Sequence, residues 1–321
     1  MTTLDPVGLA EDVRERPDTD CDREIGRRFG ALLERDEPLD RHTTMGVGGR
    51  ARYFLVPRDI AETCEVLAAL ERLHVPCFVL GGGSNVVVRD GGFEGAIVNL
   101  TCLSDLRRSG ERLRAGAGVP LAKVAKKAME VGLSGMEGLV GIPGTIGGAI
   151  AMNAGGKYGE IGDVVDSVGV LDRKGRFSRL TRERVGFRYR GTALGDLVVV
   201  EVTLRLRPDE PREICRRMAA VLKRKHETQP MGMRSAGCFF KNPAPGQAAA
   251  SLIDRAGLKG AREGGAEVST RHANFIVNAG RATSSDVLAL AARVRREVLA
   301  RFEVALALEV KILGKRGLEA A

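Results

Sequence analysis

Tryptophan is absent from the 321 residues, and there are only three tyrosines and ten phenylalanines. Single-stranded nucleic acids are gripped largely by stacking on aromatic rings, so this scarcity argues against such a partner. The charge balance alone would have suggested one, because 50 Lys and Arg face 41 Asp and Glu, a net charge of +9. The excess is scattered, however. Its densest cluster, Lys223-Arg224-Lys225-His226, ends a predicted helix, where cations suit the macrodipole. The six cysteines (21, 64, 77, 102, 215 and 238) are dispersed and include no C-x-x-C pair. That excludes a zinc ribbon or disulfide framework, so reduced thiols and no metal are expected. No eighteen-residue apolar run occurs, and the N-terminal residues are charged where a signal peptide would be apolar, so the expectation is a cytoplasmic protein off the membrane.

What the chain has instead is glycine in two concentrated stretches. The run Gly141 to Gly156, GIPGTIGGAIAMNAGG, is six-sixteenths glycine and carries no charge. A segment that gives up so much chain entropy is explained by positive φ and by close approach of backbone N–H groups to a ligand, here a large anionic cofactor. The second stretch, GGGSN at Gly81 to Asn85, follows an apolar strand at Cys77 to Leu80. Neither stretch contains G-x-G-x-x-G or G-K-[ST], which excludes the two commonest nucleotide fingerprints. For either loop alone, tight packing between strands is the plain alternative. Two such loops, with Ser84 and Asn85 to hydrogen-bond a phosphate, favour a pyrophosphate cradle.

Along the chain, residues 1 to 24 read as a mobile charged extension, with a short helix from Arg27 to Leu33. Ile60, Cys64, Leu67 and Leu70 repeat at helical spacing between strands at Ala51 to Val56 and Cys77 to Leu80, a βαβ-like opening. Pro208 and Pro211 bracket an acidic break, which puts a domain boundary there: 25–208, then 209–321. In the second part a long helix is expected from a Thr283 or Ser284 cap. The final stretch Val304 to Ile312 alternates as a strand, placing Glu309 on the face shared with Ala305, Ala307 and Lys311.

Taken singly, Arg190, Cys238 and Glu309 have ordinary explanations as a solvated arginine, a small buried hydrophobe and a surface ion-pair partner. Together with their surroundings they form a recognisable series. HTTMGVGG (42–49), VLGGGSN (79–85), GIPGTIGGAIAMNAGG (141–156), YR (189–190), QP (229–230), SAGCFFKNP (235–243), HANFIVN (272–278) and LEVKILG (308–314) closely resemble, in order, the UDP-N-acetylenolpyruvoylglucosamine reductase (MurB) family, in its shorter type.

The resemblance implies an α+β fold: a two-lobed FAD-binding domain of the vanillyl-alcohol-oxidase (PCMH) type and a C-terminal α+β substrate-binding domain. It implies non-covalent FAD, NADPH as reductant, UDP-N-acetylglucosamine enolpyruvate as substrate, a role in peptidoglycan precursor synthesis, and a monomer. Flavin contacts would fall on Gly81, Gly82, Gly83, Ser84, Asn85, Gly118, Val119, Gly141, Ile142, Pro143, Gly144, Gly147, Gly148, Asn153 and Gly155. Arg190 would bind the substrate carboxylate and steady the enolate-like charge, with Glu309 beside it. Cys238 stands where the family most often has serine, as proton donor; a thiol, with a reference pKa of about 8.5, is a stronger acid than a hydroxyl. Tyr189, Arg224, Lys241 and Asn242 would contact substrate. An FAD-dependent oxidase or dehydrogenase of another small alcohol is the alternative on the same cofactor fold.

Overall fold

The computed structural model describes residues 19–319; residues 1–18, most of the expected extension, lie outside it. Order begins before Glu24. Helix α1 (Asp20–Phe29) starts with a capping box in which Thr19 and Asp22 satisfy each other's backbone N–H groups, so the charged sequence T-D-C-D was a helix start and not a tail. The helix is fixed from its first turn, because Asp22 is buried. Its carboxylate accepts from the Tyr53 hydroxyl at 2.6 Å, from Arg52 at 2.6 Å and from Arg35 at 3.1 Å.

The first lobe is a four-stranded sheet. Strands β1 (Leu33–Pro38) and β2 (Arg50–Leu55) pair antiparallel, while β2 and β3 (Cys77–Leu80) both run parallel to β5 (Phe93–Asn99) between them. Helix α2 (Ile60–Arg72), capped by Asp59, crosses from β2 to β3 and buries Val66, Leu67 and Leu70. This is the βαβ unit expected from the spacing. The second lobe is a five-stranded antiparallel sheet centred on β10 (Val198–Arg205), flanked by β8 (Val165–Leu171) and β7 (Arg112–Gly116), with β9 (Phe177–Thr181) and β6 (Leu106–Ser109) at the edges. Between the lobes, helix α3 (Leu121–Glu130) and the short glycine-built helix α4 (Ile146–Ala151) pack into one continuous core.

The third unit is a four-stranded antiparallel sheet formed by β11 (Ser235–Cys238), β14 (Phe275–Asn278), β13 (Ala266–Val268) and β12 (Arg262–Glu263). It has its own core, where Phe239, Phe240 and Ile253 meet the buried stripe Val287, Leu290, Val294 and Val298 of helix α7 (Ser284–Phe302), capped by Thr283. Helix α5 (Pro211–Thr228) buries Ile214 and lays Met218, Val221 and Leu222 on the core of the first two lobes. The last strand is shorter than its alternation suggested. Leu306, Leu308, Val310 and Ile312 are buried, yet the ladder covers only β15 (Lys311–Gly314), which pairs parallel with β4 (Val86–Val88). Residues 304–310 instead cross from the third unit to the first, with single attachments such as Lys241 N–H to the Ala307 carbonyl and Glu309 N–H to the Phe239 carbonyl.

Burial pushes the Asp22 carboxyl up, but hydrogen bonds from Thr19, Tyr53 and Arg52 outweigh it and hold the group well below the usual carboxylate range. Its stabilising contribution is therefore present above about pH 4 and is lost as pH falls further. Asp22→Asn should lower stability by roughly 1–3 kcal/mol at neutral pH and flatten the acid limb of the stability curve. Urea titrations of both proteins between pH 3 and 7 test this; an unchanged acid limb would show that the clasp contributes nothing.

Candidate functional site

A cleft of about 1760 Å³ runs between the two lobes and the third unit. Its floor is made where the two glycine stretches meet. A Cβ on Gly82 would come within 2.9 Å of the Gly144 Cα, and one on Gly83, which has φ +59°, within 2.0 Å of the His42 carbonyl oxygen. Side chains are excluded at both positions. One polar atom there lacks a partner: the hydroxyl oxygen of Thr145 is buried with no hydrogen bond, and a Cβ on Gly81 would lie 2.3 Å from it. A buried unpaired hydroxyl set in glycine backbone that no side chain covers fits a ligand carrying several acceptor oxygens, as the pyrophosphate of FAD does. Thr145 was not among the expected contacts; its signal was that it is the one hydroxyl in an uncharged glycine run.

The expected flavin residues divide into those that face the cleft and those that brace it. Gly81 to Asn85, Gly141, Ile142, Pro143, Gly147, Gly148 and Gly155 line it. Gly144 packs behind Gly82. Gly118 and Val119 lie in the wall behind α4, where the Val119 carbonyl accepts the Ile146 N–H at 2.9 Å. Asn153, at φ 44°, spends its side-chain amide on Glu160, the Arg188 carbonyl and the Gly162 N–H, so its side chain fixes the loop. The Ser84 hydroxyl donates to the Pro143 carbonyl at 3.1 Å, and the Asn85 amide donates to the Glu309 carbonyl at 3.2 Å. The second loop thus grips both its glycine partner and the crossing segment that bears the acid.

At one end of the cleft Arg190, Cys238 and Glu309 come together from separate units. Arg190 occupies a two-residue hairpin turn at φ 54°, closed by Arg188 and Gly191, a conformation that costs a non-glycine residue energy. Its Nε lies 2.7 Å from Glu309 Oε1, with both side chains largely buried, but the N–H is not aligned as a hydrogen bond. Another of its nitrogens donates to the Gly155 carbonyl at 2.9 Å. Burial raises the Glu309 carboxyl above its ordinary range, partly offset by Arg190 and Lys241. Burial, reinforced by the nearby Glu309, pushes the Cys238 thiol up to about 12. The thiol is thus a weaker acid than its reference value implied, and it stays protonated at neutral pH.

The expected substrate contacts are less uniform. Tyr189, half exposed, lies under the Arg190 guanidinium at 5.3 Å and accepts the Asn242 N–H at 3.2 Å. Asn242 itself accepts the Ala249 N–H at the start of helix α6 (Ala249–Arg255), so it positions Tyr189 from outside the cleft. Lys241 and Arg224 line the opening, Arg224 on the exposed side of α5 in a loose pair with Glu227. The adjoining Lys225, expected only to oppose the macrodipole, is buried. Among the described residues no group of metal-binding side chains is found, and no helix is long and apolar enough to cross a membrane.

Comparison with known proteins gives this geometry a family. Residues 51–181 match the model of an FAD binding domain, and residues 229–313 match that of the UDP-N-acetylenolpyruvoylglucosamine reductase C-terminal domain. A UDP-N-acetylenolpyruvoylglucosamine reductase of Desulfosudis oleivorans is 44% identical, covering 89% of this chain and 96% of its own, and one from Geobacter metallireducens is 43% identical over 89% and 95%. The crystal structure of the Thermus caldophilus enzyme superposes with a TM-score of 0.77 at 39% identity, covering 87% of this chain and 98% of that one. The fold is the expected α+β FAD-binding domain followed by a C-terminal α+β domain, and the chain belongs to the UDP-N-acetylenolpyruvoylglucosamine reductase family.

Proposed function

We propose that the protein reduces UDP-N-acetylglucosamine enolpyruvate to UDP-N-acetylmuramate at the expense of NADPH, as a cytoplasmic monomer in peptidoglycan precursor synthesis. The observation that carries the reading is the convergence of Arg190, Glu309 and Cys238 on one end of a cleft whose floor suits a pyrophosphate. Bound FAD would supply the hydride chemistry between the two substrates. In this reading residues 25–208 hold the cofactor, and 209–321 complete the substrate site.

Reduction of the enolpyruvyl carbon places negative charge on its neighbour and on the attached carboxylate, and preorganised donors lower that barrier. Arg190 is the fixed cation for it. In the free protein it is paired with Glu309 through a misaligned contact, so an incoming carboxylate displaces a poor partner. Glu309 then loses its main counter-charge while remaining buried with Lys241 and Cys238 beside it, and the protonated form becomes favoured. A neutral Glu309 donates to the developing enolate and does not repel it. Cys238, protonated at the outset, delivers its proton to carbon.

Three outcomes follow. The purified protein should be yellow, be bleached anaerobically by NADPH, and regain its colour on adding the enolpyruvyl UDP-sugar; turnover of a sugar alcohol with oxygen and no response to the UDP-sugar would instead mark an oxidase. Cys238→Ser should retain activity, whereas Cys238→Ala should lose roughly 10²–10⁴-fold in the protonation step with reduction by NADPH intact. Equal losses in both half-reactions would make Cys238 structural. Finally, UDP-sugar binding should take up a proton and weaken as pH rises, and Glu309→Gln should abolish both effects; calorimetry in buffers of different ionisation enthalpy reads the uptake, and none in the parent protein would refute the exchange.

A further inference from the structure

Lys225 sits in the last turn of α5 with only 8% of its surface exposed. Its ammonium donates to the Val140 carbonyl at 2.6 Å, and no other hydrogen bond or ion pair to it is found among the described residues. Burial alone pushes its pKa down. The stem is packed as tightly as the head: a Cβ on Gly141 would come 3.2 Å from Lys225 Cδ and 3.2 Å from the Leu222 side chain. Its neighbours in sequence differ: Lys223, Arg224 and His226 are exposed, and Arg224 pairs with Glu227.

A cation withdrawn from water and given one neutral acceptor is costly to keep, and a methionine would fill the same path without that cost. Lys225 nevertheless forms part of the cleft wall, at the point where α5 crosses the start of the glycine loop. With one N–H on Val140, two further donors and an uncompensated positive charge remain for something that enters the cleft. We infer that Lys225 and the backbone beginning at Gly141 form an anion subsite for a diphosphate group. Diphosphate is the class that fits, because a compact ammonium is suited to a phosphate as a point charge. Resting on the function proposed above, three molecules that visit this cleft contain that group: FAD, NADPH and the UDP-sugar. Lys225 is in this view a binding residue and takes no part in the proton transfers.

The test uses Lys225→Met, which keeps the stem, and Lys225→Gln, which keeps a donor for Val140 without the charge, each checked by thermal melting. Apo-protein is titrated with FAD by flavin fluorescence. Holoenzyme is titrated with inorganic pyrophosphate and with NADPH, the former by perturbation of the flavin spectrum and the latter by the concentration dependence of anaerobic reduction. Both variants should weaken diphosphate binding at least tenfold. A loss confined to FAD assigns the subsite to the cofactor, and a loss confined to pyrophosphate and NADPH assigns it to the substrates. If a folded variant binds all three within twofold of the parent, Lys225 is only a strap between α5 and the loop, and the inference fails. Because pyrophosphate is read separately, a parent protein that ignores the UDP-sugar would overturn the proposed function without deciding the subsite.

Discussion

The architecture depends on backbone meeting backbone. At Gly82 against Gly144, and at Gly83 against His42, the chain comes closer than any side chain permits. Only glycine allows such an approach, and it does so at an entropic cost that must be recovered elsewhere. The recovery comes from the continuous core joining both lobes around α4, in which Ile146 and Ile150 are fully buried. The floor of the cleft is consequently a rigid surface of peptide groups laid over a packed apolar layer. Such a floor has little to reorganise when a polar ligand is held against it.

The reactive end is assembled on different terms. None of its three residues lies in the glycine loops, and each is delivered by a different device: a strained hairpin turn for Arg190, the end of an antiparallel strand for Cys238 and a crossing segment for Glu309. Asn85 is the part common to both ends, because its side chain donates to the Glu309 carbonyl while its own carbonyl accepts the Lys311 N–H. Cofactor loop and acid therefore share one hydrogen-bonded frame. The charge arrangement matches this division, with neutral peptide groups on the floor and the closely packed Arg190–Glu309 pair at the end.

Much of this was legible in the sequence, for physical reasons that differ by element. Hydrophobic period exposed α2 and the buried stripe of α7, and the alternation from Val304 showed which face Glu309 takes, even though the ladder covers only the last two residues of the expected strand. Ladder length depends on a partner strand, which no local pattern reveals. Glycine content exposed the two loops, but it did not distinguish residues that line the cleft from those that brace it; Asn153 looks like a ligand in sequence and acts as a hub. Lys225 and Asp22 were hidden for the same reason. A charged residue reads as solvated until tertiary structure removes its water, and the short capping signal around Asp22 was masked by the charges beside it.

The pairing of β15 with β4 also sets an order of assembly. Asn85 and Lys311 are joined by a backbone hydrogen bond across more than two hundred residues, so the reactive end closes one of the longest loops in the molecule. During synthesis the two lobes and their glycine floor emerge early and build a shared core, whereas the position of Glu309 is undefined until the end of the chain arrives. Shortening the chain into β15 would remove the support of the acid and the partner of β4, beside the second glycine loop, together.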